Sequence, residues 1–267
     1  MSTLTLTKHH GLGNDFLVVF HPDVDDLPAL ARELCDRRRG IGADGLLVAT
    51  AADGYAARME LFNADGSRAE MSGNGIRCFA QALAARRGVL TRQNILTDAG
   101  DRVVELHATD DPRTIMASVS MGSIDPIAQP AGWDDLGCHP DRPVAHVSLG
   151  NPHSVVGVDD VDEVDLAVLG AKVAQVNLEI VAPGERQDEI RMRVHERGAG
   201  ITEACGTGAC AAAHAAAKWG LATPLDGKLV VHMDGGRATV ELDRPEPGSV
   251  TLIGPATHIA TIEISTT

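Results

Sequence analysis

Two short words, about half a chain apart, constrain this sequence more than anything else in it: Ser72-Gly73-Asn74-Gly75 and Cys205-Gly206-Thr207-Gly208. Each sets a small nucleophile-type residue before Gly-x-Gly, and each opens an alanine-rich run that ends at a glycine, Gly88 or Gly220. They stand 133 positions apart in a chain of 267 residues. Other landmarks recur in the same order at nearly the same spacing. Leu149-Gly150-Asn151 follows Leu12-Gly13-Asn14, Arg191-Met192-Arg193-Val194 follows Arg58-Met59-Glu60-Leu61, and Glu203 follows Glu70. Gly235-Gly236-Arg237 with Val240-Glu241-Leu242 repeats Gly100-Asp101-Arg102 with Val104-Glu105-Leu106. One shared word would be chance. An ordered set points to internal duplication, though one too degenerate for a solenoid or propeller.

Within each half, runs such as Leu4-Thr5-Leu6, Leu46-Leu47-Val48 and Arg58-Met59-Glu60-Leu61-Phe62 read as strands. Residues 27–38 carry helical apolar spacing at Leu27, Leu30 and Leu34, with Arg37-Arg38-Arg39-Gly40 read as a solvated helix end. Helices are expected from Gly75 to about Arg87 and from Cys205 to Trp219. The second has alanine around most of its circumference, the pattern of a helix buried on all sides. A sheet curled around a central helix is the simplest way to bury it. The expected fold is therefore α+β: two pseudo-symmetric domains, each a curled, mostly antiparallel sheet around a central helix, with the active site in the cleft between them. The N-terminal domain is expected to span 1–119 plus 256–267, and the C-terminal domain 120–255.

Hydrophobic residues at 44% and charged residues at 22% describe an ordinary globular chain. A net charge of −14 argues against a nucleic-acid or anionic-membrane partner, either of which needs a basic face. The N-terminus lacks a secretory h-region, no apolar stretch reaches spanning length, and five irregularly spaced cysteines do not form a disulfide framework. These features predict a reduced, cytoplasmic protein.

The first turn of a helix leaves backbone N–H groups free and carries partial positive charge. Glycines there let a ligand approach the backbone closely, which suits a carboxylate or phosphate. The same field lowers a cysteine pKa from about 8.5 towards neutrality. Two such helix starts facing one substrate carboxylate would stabilise the charge that builds when the neighbouring C–H is deprotonated. One thiolate would take the α-proton while the opposite thiol delivers another, inverting a stereocentre without a cofactor. Ser72 reads equally well as a plain N-cap. A buried structural cysteine is the weaker reading of Cys205, because it precedes Gly-x-Gly and has a duplicated partner. Cys78 and Cys210 lie inside the helices and read as core.

Gly40-Ile41-Gly42-Ala43-Asp44-Gly45 fits G-x-G-x-x-G, but a helix end precedes it and a strand follows, the reverse of a dinucleotide site. No P-loop or H-E-x-x-H occurs, and the eleven histidines do not cluster as metal ligands. No metal and no cofactor is expected.

From end to end the chain resembles the diaminopimelate epimerase family. The words that carry the resemblance are His10-Gly11-Leu12-Gly13-Asn14-Asp15-Phe16, Phe62-Asn63-Ala64-Asp65-Gly66-Ser67, Gly73-Asn74-Gly75-Ile76-Arg77-Cys78, Gly150-Asn151-Pro152-His153, Glu196-Arg197-Gly198-Ala199-Gly200 and Ala204-Cys205-Gly206-Thr207-Gly208. Proline racemases share the two-domain design but typically carry histidine where this chain has Asn74. The resemblance implies cofactor-independent, two-base epimerisation of LL- to meso-diaminopimelate, in lysine and peptidoglycan precursor synthesis. It implies that Asn14, Asn63, Asn151, Asn177, Glu196 and Arg197 hold the distal amino-acid end of the substrate. Such a zwitterion needs a cation for its carboxylate and acceptors for its ammonium, and these side chains supply both. Gly73-Asn74 and Gly206-Thr207 would cradle the reacting carboxylate, with Cys205 and Ser72 as the catalytic pair. The small-molecule amino acid is the expected partner, and a homodimer is left open.

Two positions depart from the family pattern. Gly45 stands where glutamine is frequent, and Ser72 stands where the family has its first catalytic cysteine. A hydroxyl is far less acidic than a thiol, and no histidine or lysine base adjoins it in sequence. Ser72 thus leaves three readings: a serine-bearing epimerase of reduced activity, a substitution that traps the enzyme, or a relative that deprotonates from one side only. A racemase-like dehydratase or isomerase acting on another small amino acid, and a non-catalytic amino-acid binder, are the alternative functions.

Overall fold

The computed structural model describes residues 2–266. Met1 and Thr267, the ends of the expected N-terminal domain, lie outside the described residues. The chain forms two compact units, one of residues up to Val119 together with those from Gly254 onward, the other Ser120–Ile253.

In the first unit, strand Ser2–Gly11 turns through Leu12 and Gly13, both at positive φ, into strand Asn14–Phe20. Asn14–Phe20 runs parallel to Gly45–Thr50, with Phe16 opposite Gly45, and helix α1 (Leu27–Cys35) makes the crossover. Gly45–Thr50 pairs antiparallel with Ala57–Asn63, so that Gly45 faces Asn63. Helix α2 (Gly73–Arg87) then crosses to Gln93–Thr97, parallel to Ala57–Asn63, and antiparallel strands follow at Gly100–Ala108 and 115–119. Parallel neighbours require such crossovers, and antiparallel ones only turns. Residues 257–266 pair antiparallel with 2–10.

The second unit repeats this order. A hairpin of Val144–Ser148 and Pro152–Gly157 leads through helix α3 (Leu166–Lys172) to the parallel strand Asn177–Pro183, with His153 opposite Asn177. Antiparallel Glu189–Glu196 follows, then helix α4 (Gly206–Trp219) and the parallel strand Lys228–Met233. Antiparallel Gly236–Leu242 and residues 250–253 complete the sheet. Matched through these registers, Asn14 corresponds to Asn151, Phe16 to His153, Gly45 to Asn177, Leu47 to Glu179, Asn63 to Glu196, Ser72 to Cys205 and Asn74 to Thr207. The duplication in the sequence is thus a duplication of strand order and register.

Each sheet wraps a helix made of small residues. Every residue of α2 from Gly73 to Ala84 is buried, as is every residue of α4 from Gly206 to Ala216 except His214. Alanine makes this burial feasible, because it adds apolar surface without side-chain bulk or rotamer entropy. Arg77 is the charged residue in this buried run, with no exposed surface. Its guanidinium donates to Gly73 O at 3.0 Å, Asn74 Oδ1 at 2.8 Å and Pro255 O at 3.1 Å. A Cβ at Gly254 would stand 3.0 Å from the Arg77 Cζ, so glycine is what lets the terminal strand close over the guanidinium.

Four expectations are corrected. Helix α1 stops at Cys35 rather than Arg38, because the Asp36 carboxylate accepts the backbone N–H groups of Arg38 and Arg39 and turns the chain. Arg37 is no mere solvated helix end, since it pairs with Asp15 at 2.6 Å and Asp44 at 2.8 Å. Helix α2 begins at Gly73, two residues before its expected start, and Cys205 is the cap of α4 rather than its first residue. Among the described residues no helix is long and apolar enough to cross a membrane.

Candidate active site

The two helix starts share one local geometry. Ser72 is extended (φ −137°, ψ 123°) and its Oγ accepts the Gly75 N–H at 3.0 Å. Cys205 is extended (φ −126°, ψ 114°) and its Sγ accepts the Gly208 N–H at 3.3 Å. Both are N-caps, each satisfying one of the orphan donors of the first turn. Capping and chemistry are therefore not exclusive readings at either position. At the far ends Gly88 and Gly220 adopt the left-handed conformation, with φ of 71° and 70°. Ser72 is half-buried, whereas Cys205 is 4% exposed.

The expected binding residues gather around these caps, unit by unit. In the first unit Asn74 Nδ2 donates to Asn14 Oδ1 at 3.1 Å, and Asn14 Nδ2 donates to Asp44 Oδ2 at 2.8 Å. Asn63 donates instead to Ser67 Oγ at 3.0 Å in its own turn. Gly45 faces Asn63, but a Cβ there would lie 2.8 Å from Phe62 O, so a longer side chain would need the strand to shift. In the second unit Asn151 Nδ2 donates to Thr207 Oγ1 at 3.2 Å. Asn177 is buried, accepts the Arg197 N–H at 2.8 Å and donates to Pro152 O at 3.2 Å. It thereby holds the turn that carries Glu196 and the exposed Arg197. Glu196 accepts the Thr202 hydroxyl.

Sequence reasoning assigned nothing to His153 or Glu179, yet both stand against this cluster. His153 Nδ1 and Glu179 Oε1 are 2.7 Å apart, both side chains fully buried, and His153 Nε2 is 3.0 Å from Asn151 Oδ1. A Cβ at Gly208 would meet Glu179 Oε1 at 2.7 Å and Cys205 Sγ at 3.2 Å, so glycine lets carboxylate and sulfur approach the helix start together. In the first unit the equivalent neighbour of Gly75 is the apolar Leu47. One signal was available: a carboxylate inside the apolar run Leu178-Glu179-Ile180-Val181. Asp15 and Asp44 were missed too. Lys8 sits 2.9 Å from Asp15, which also takes Arg37. Burial pushes the Asp15 carboxyl up, and Arg37 with Lys8 outweighs it, holding Asp15 below the ordinary carboxylate value.

The charge state of Cys205 overturns another expectation. Burial pushes the thiol well above its ordinary value, and the Glu196 and Glu179 carboxylates push the same way. The Thr207 hydroxyl and Gly208 N–H pull against them without prevailing. The helix start alone would favour thiolate; enclosure and two acids favour thiol. Burial likewise raises Glu179 against the pull of His153, and raises Glu196 against Thr202 and Cys205. Cys78 and Cys210 are fully buried, as core residues. Among the described residues no group of three or more His, Cys, Asp or Glu is placed to hold a metal ion. The arrangement presents a proton-bearing sulfur backed by N–H and O–H donors, the equipment of an acid that can later serve as a base.

A family model described as diaminopimelate epimerase matches residues 6–125 and 145–259. Diaminopimelate epimerases of Halothermothrix orenii and Desulforapulum autotrophicum are similar over nearly the whole chain. The first is 38% identical, covering 98% of this chain and 98% of its own. The second is 36% identical, covering 97% and 98%. Among solved structures, a predicted epimerase from Pseudomonas aeruginosa aligns over all of both chains with a TM-score of 0.75 at 18% identity. A probable proline racemase from Agrobacterium radiobacter, with bound carbonate, aligns over 99% of this chain and 93% of its own, with a TM-score of 0.75 at 14% identity. At those identities the structural likeness concerns the fold.

Proposed function

This chain belongs to the diaminopimelate epimerase family, and on that premise we propose that it interconverts LL- and meso-diaminopimelate without a cofactor, as a cytoplasmic enzyme of lysine and peptidoglycan precursor synthesis. The observation that carries the reading is the pair of matching helix caps at Ser72 and Cys205, each opening a Gly-x-Gly turn and each accepting one N–H of that turn, from Gly75 and Gly208. Under this reading Gly73-Asn74 and Gly206-Thr207 bind the reacting carboxylate, and the field of the helix starts stabilises the charge built up on deprotonation. Cys205, held as a thiol, delivers the proton to one face of the α-carbon, and the resulting thiolate removes it in the reverse direction. Asn14, Asn63, Asn151, Asn177, Glu196 and Arg197 hold the distal end of the substrate. The carboxylate of Glu196 suits an ammonium group, and the guanidinium of Arg197 a carboxylate.

Ser72 is the altered partner. A hydroxyl at that cap is a very poor general base, so the chain is expected to exchange the α-proton on the Cys205 side and to invert configuration slowly. Incubating the protein with each isomer in deuterated water, and following α-deuterium and stereochemistry separately, tests this. Exchange outpacing inversion is the expected result. Absence of exchange from both isomers would overturn the catalytic reading, and turnover of a β-substituted amino acid with none of diaminopimelate would favour a dehydratase.

A further inference from the structure

Glu179 is a carboxylate with zero exposure in the middle of an apolar strand. Burying an acid costs several kcal/mol unless its partners repay it. Its Oε1 meets His153 Nδ1, while its Oε2 is buried with no hydrogen-bond partner among the described residues. A purely structural position would accept an apolar residue, as the first unit does with Leu47.

The contacts beyond His153 have a direction. Asn151 Oδ1 carries no hydrogen, so the 3.0 Å contact from His153 Nε2 requires a proton on Nε2. Nδ1 then meets Glu179 either as N–H against a carboxylate or as an acceptor from the protonated carboxyl; one proton between them satisfies both atoms. The raised proton affinity that burial imposes on Glu179 suits that sharing. With Oδ1 taken by His153, the Asn151 amide presents Nδ2 to Thr207 Oγ1 at 3.2 Å. Thr207 Oγ1 thus accepts from Asn151, leaving its own hydrogen for Cys205 Sγ at 3.5 Å, within reach of a sulfur acceptor. From His153 onward every link donates towards the sulfur.

We propose that Glu179 is a positioning residue whose contact with His153 sets the direction of the chain His153–Asn151–Thr207, so that the Thr207 hydroxyl donates to Cys205 Sγ and holds the thiolate whenever the sulfur gives up its proton. The inference rests on the reading of Cys205 as acid and base. It also explains why a carboxylate is kept beside a sulfur whose ionisation it opposes. As a charge Glu179 disfavours the thiolate, but through the chain it supplies a donor to it. Among the described residues of the first unit the side-chain links run differently: Arg77 donates to Asn74, Asn74 to Asn14 and Asn14 to Asp44. Phe16 and Leu47 occupy the places of His153 and Glu179.

The ionisable groups beside Cys205 are Glu196, Glu179 and, through Asn151, His153, so the test separates charge from direction. The alkylation rate of Cys205 by iodoacetamide at pH 8, read at that one cysteine by peptide mass spectrometry, reports the thiolate fraction whether or not the protein turns over substrate. Removing a nearby negative charge, or loosening the packing, would speed alkylation. Losing the donor would slow it. Glu179→Leu, and the double change His153→Phe/Glu179→Leu, which installs the first unit's pair and leaves no buried charge behind, are both expected to slow alkylation by about tenfold, the effect of one lost hydrogen bond to a charged group. Glu179→Gln, whose amide can donate to Nδ1 as the carboxyl does, should stay within about twofold of the parent. Thr207→Val should slow alkylation similarly, and adding Glu179→Leu to it should slow it no further. Faster or unchanged alkylation in Glu179→Leu and in the double variant overturns the proposal. Lack of deuterium exchange in the parent, with these alkylation results intact, would instead sink the catalytic reading alone.

Discussion

Asn14 and Asn151 occupy equivalent places at the tips of equivalent hairpins, yet their amides are wired in opposite senses. Asn14 turns its carbonyl oxygen to the helix start and accepts from Asn74, while Asn151 turns its NH₂ to the helix start and donates to Thr207. The difference begins in the supporting residues. Asp44 takes the Asn14 NH₂, whereas His153 takes the Asn151 oxygen. A duplicated scaffold thus gives each cap one backbone N–H, while the asparagine link runs towards the helix start in the second unit and away from it in the first, before the contrast between thiol and hydroxyl is considered.

Ser72→Cys should raise inversion of diaminopimelate by about a hundredfold or more, the usual worth of a competent acid–base group. Little structural change is expected, because the new sulfur can accept the Gly75 N–H as Cys205 accepts that of Gly208. Steady-state inversion rates of parent and variant check this. No gain would indicate that the serine belongs to a different mechanism.

Cys205→Ser should separate cap from catalyst. Serine is a preferred N-cap, so unfolding free energy should stay within about 1 kcal/mol of the parent. Deuterium exchange should fall by about a hundredfold or more. Urea titration and exchange are the paired measurements, and a variant that exchanges at the parental rate would exclude Cys205 from proton transfer.

Arg77 should be sensitive even to conservative change. Arg77→Met leaves Gly73 O, Pro255 O and Asn74 Oδ1 without those donors inside the first unit, a loss of about 3 kcal/mol or more. Lysine cannot reproduce three divergent N–H directions, so Arg77→Lys should also destabilise. Chemical denaturation reads both, and a parental midpoint for either would contradict the role given to Arg77.

Stability should fall on mild acidification because of His9. The ring is 1% exposed and pinned neutral, with Nδ1 facing Gln81 Oε1 at 2.8 Å and Nε2 facing Thr7 Oγ1 at 2.9 Å. Burial lowers its pKa from 6.5 to about 4, with His258 and His10 adding to the effect and Gln81 opposing it. Between those values the unfolded chain binds a proton that the folded one does not, so acidification favours unfolding there. The contribution to stability is complete above about pH 6.5 and is lost as pH falls to about 4, amounting to about 3 kcal/mol. Urea midpoints across pH 4–7 should show this slope, and His9→Gln should flatten it.

Much of the fold is already in the chain as periodicity. Alternation marked strands such as Arg58–Phe62, and the alanine content of the second helix required burial on every side. Ordered repeats showed that one plan is used twice, and the shared words around Asn14, Asn151 and Cys205 led to the family. Periodicity reports which residues face a core; it does not report what they meet there. The approach of Glu179 to Gly208 and Cys205, the insertion of Arg77 under Gly254, and the Arg37 pairs with Asp15 and Asp44 join residues far apart in sequence, so only the tertiary structure decides them. The same holds for the ionisation of Cys205. Local sequence puts a sulfur at a helix start and so favours thiolate, but enclosure and two carboxylates brought in from neighbouring strands reverse the balance, because desolvation and charge act through space and not along the chain.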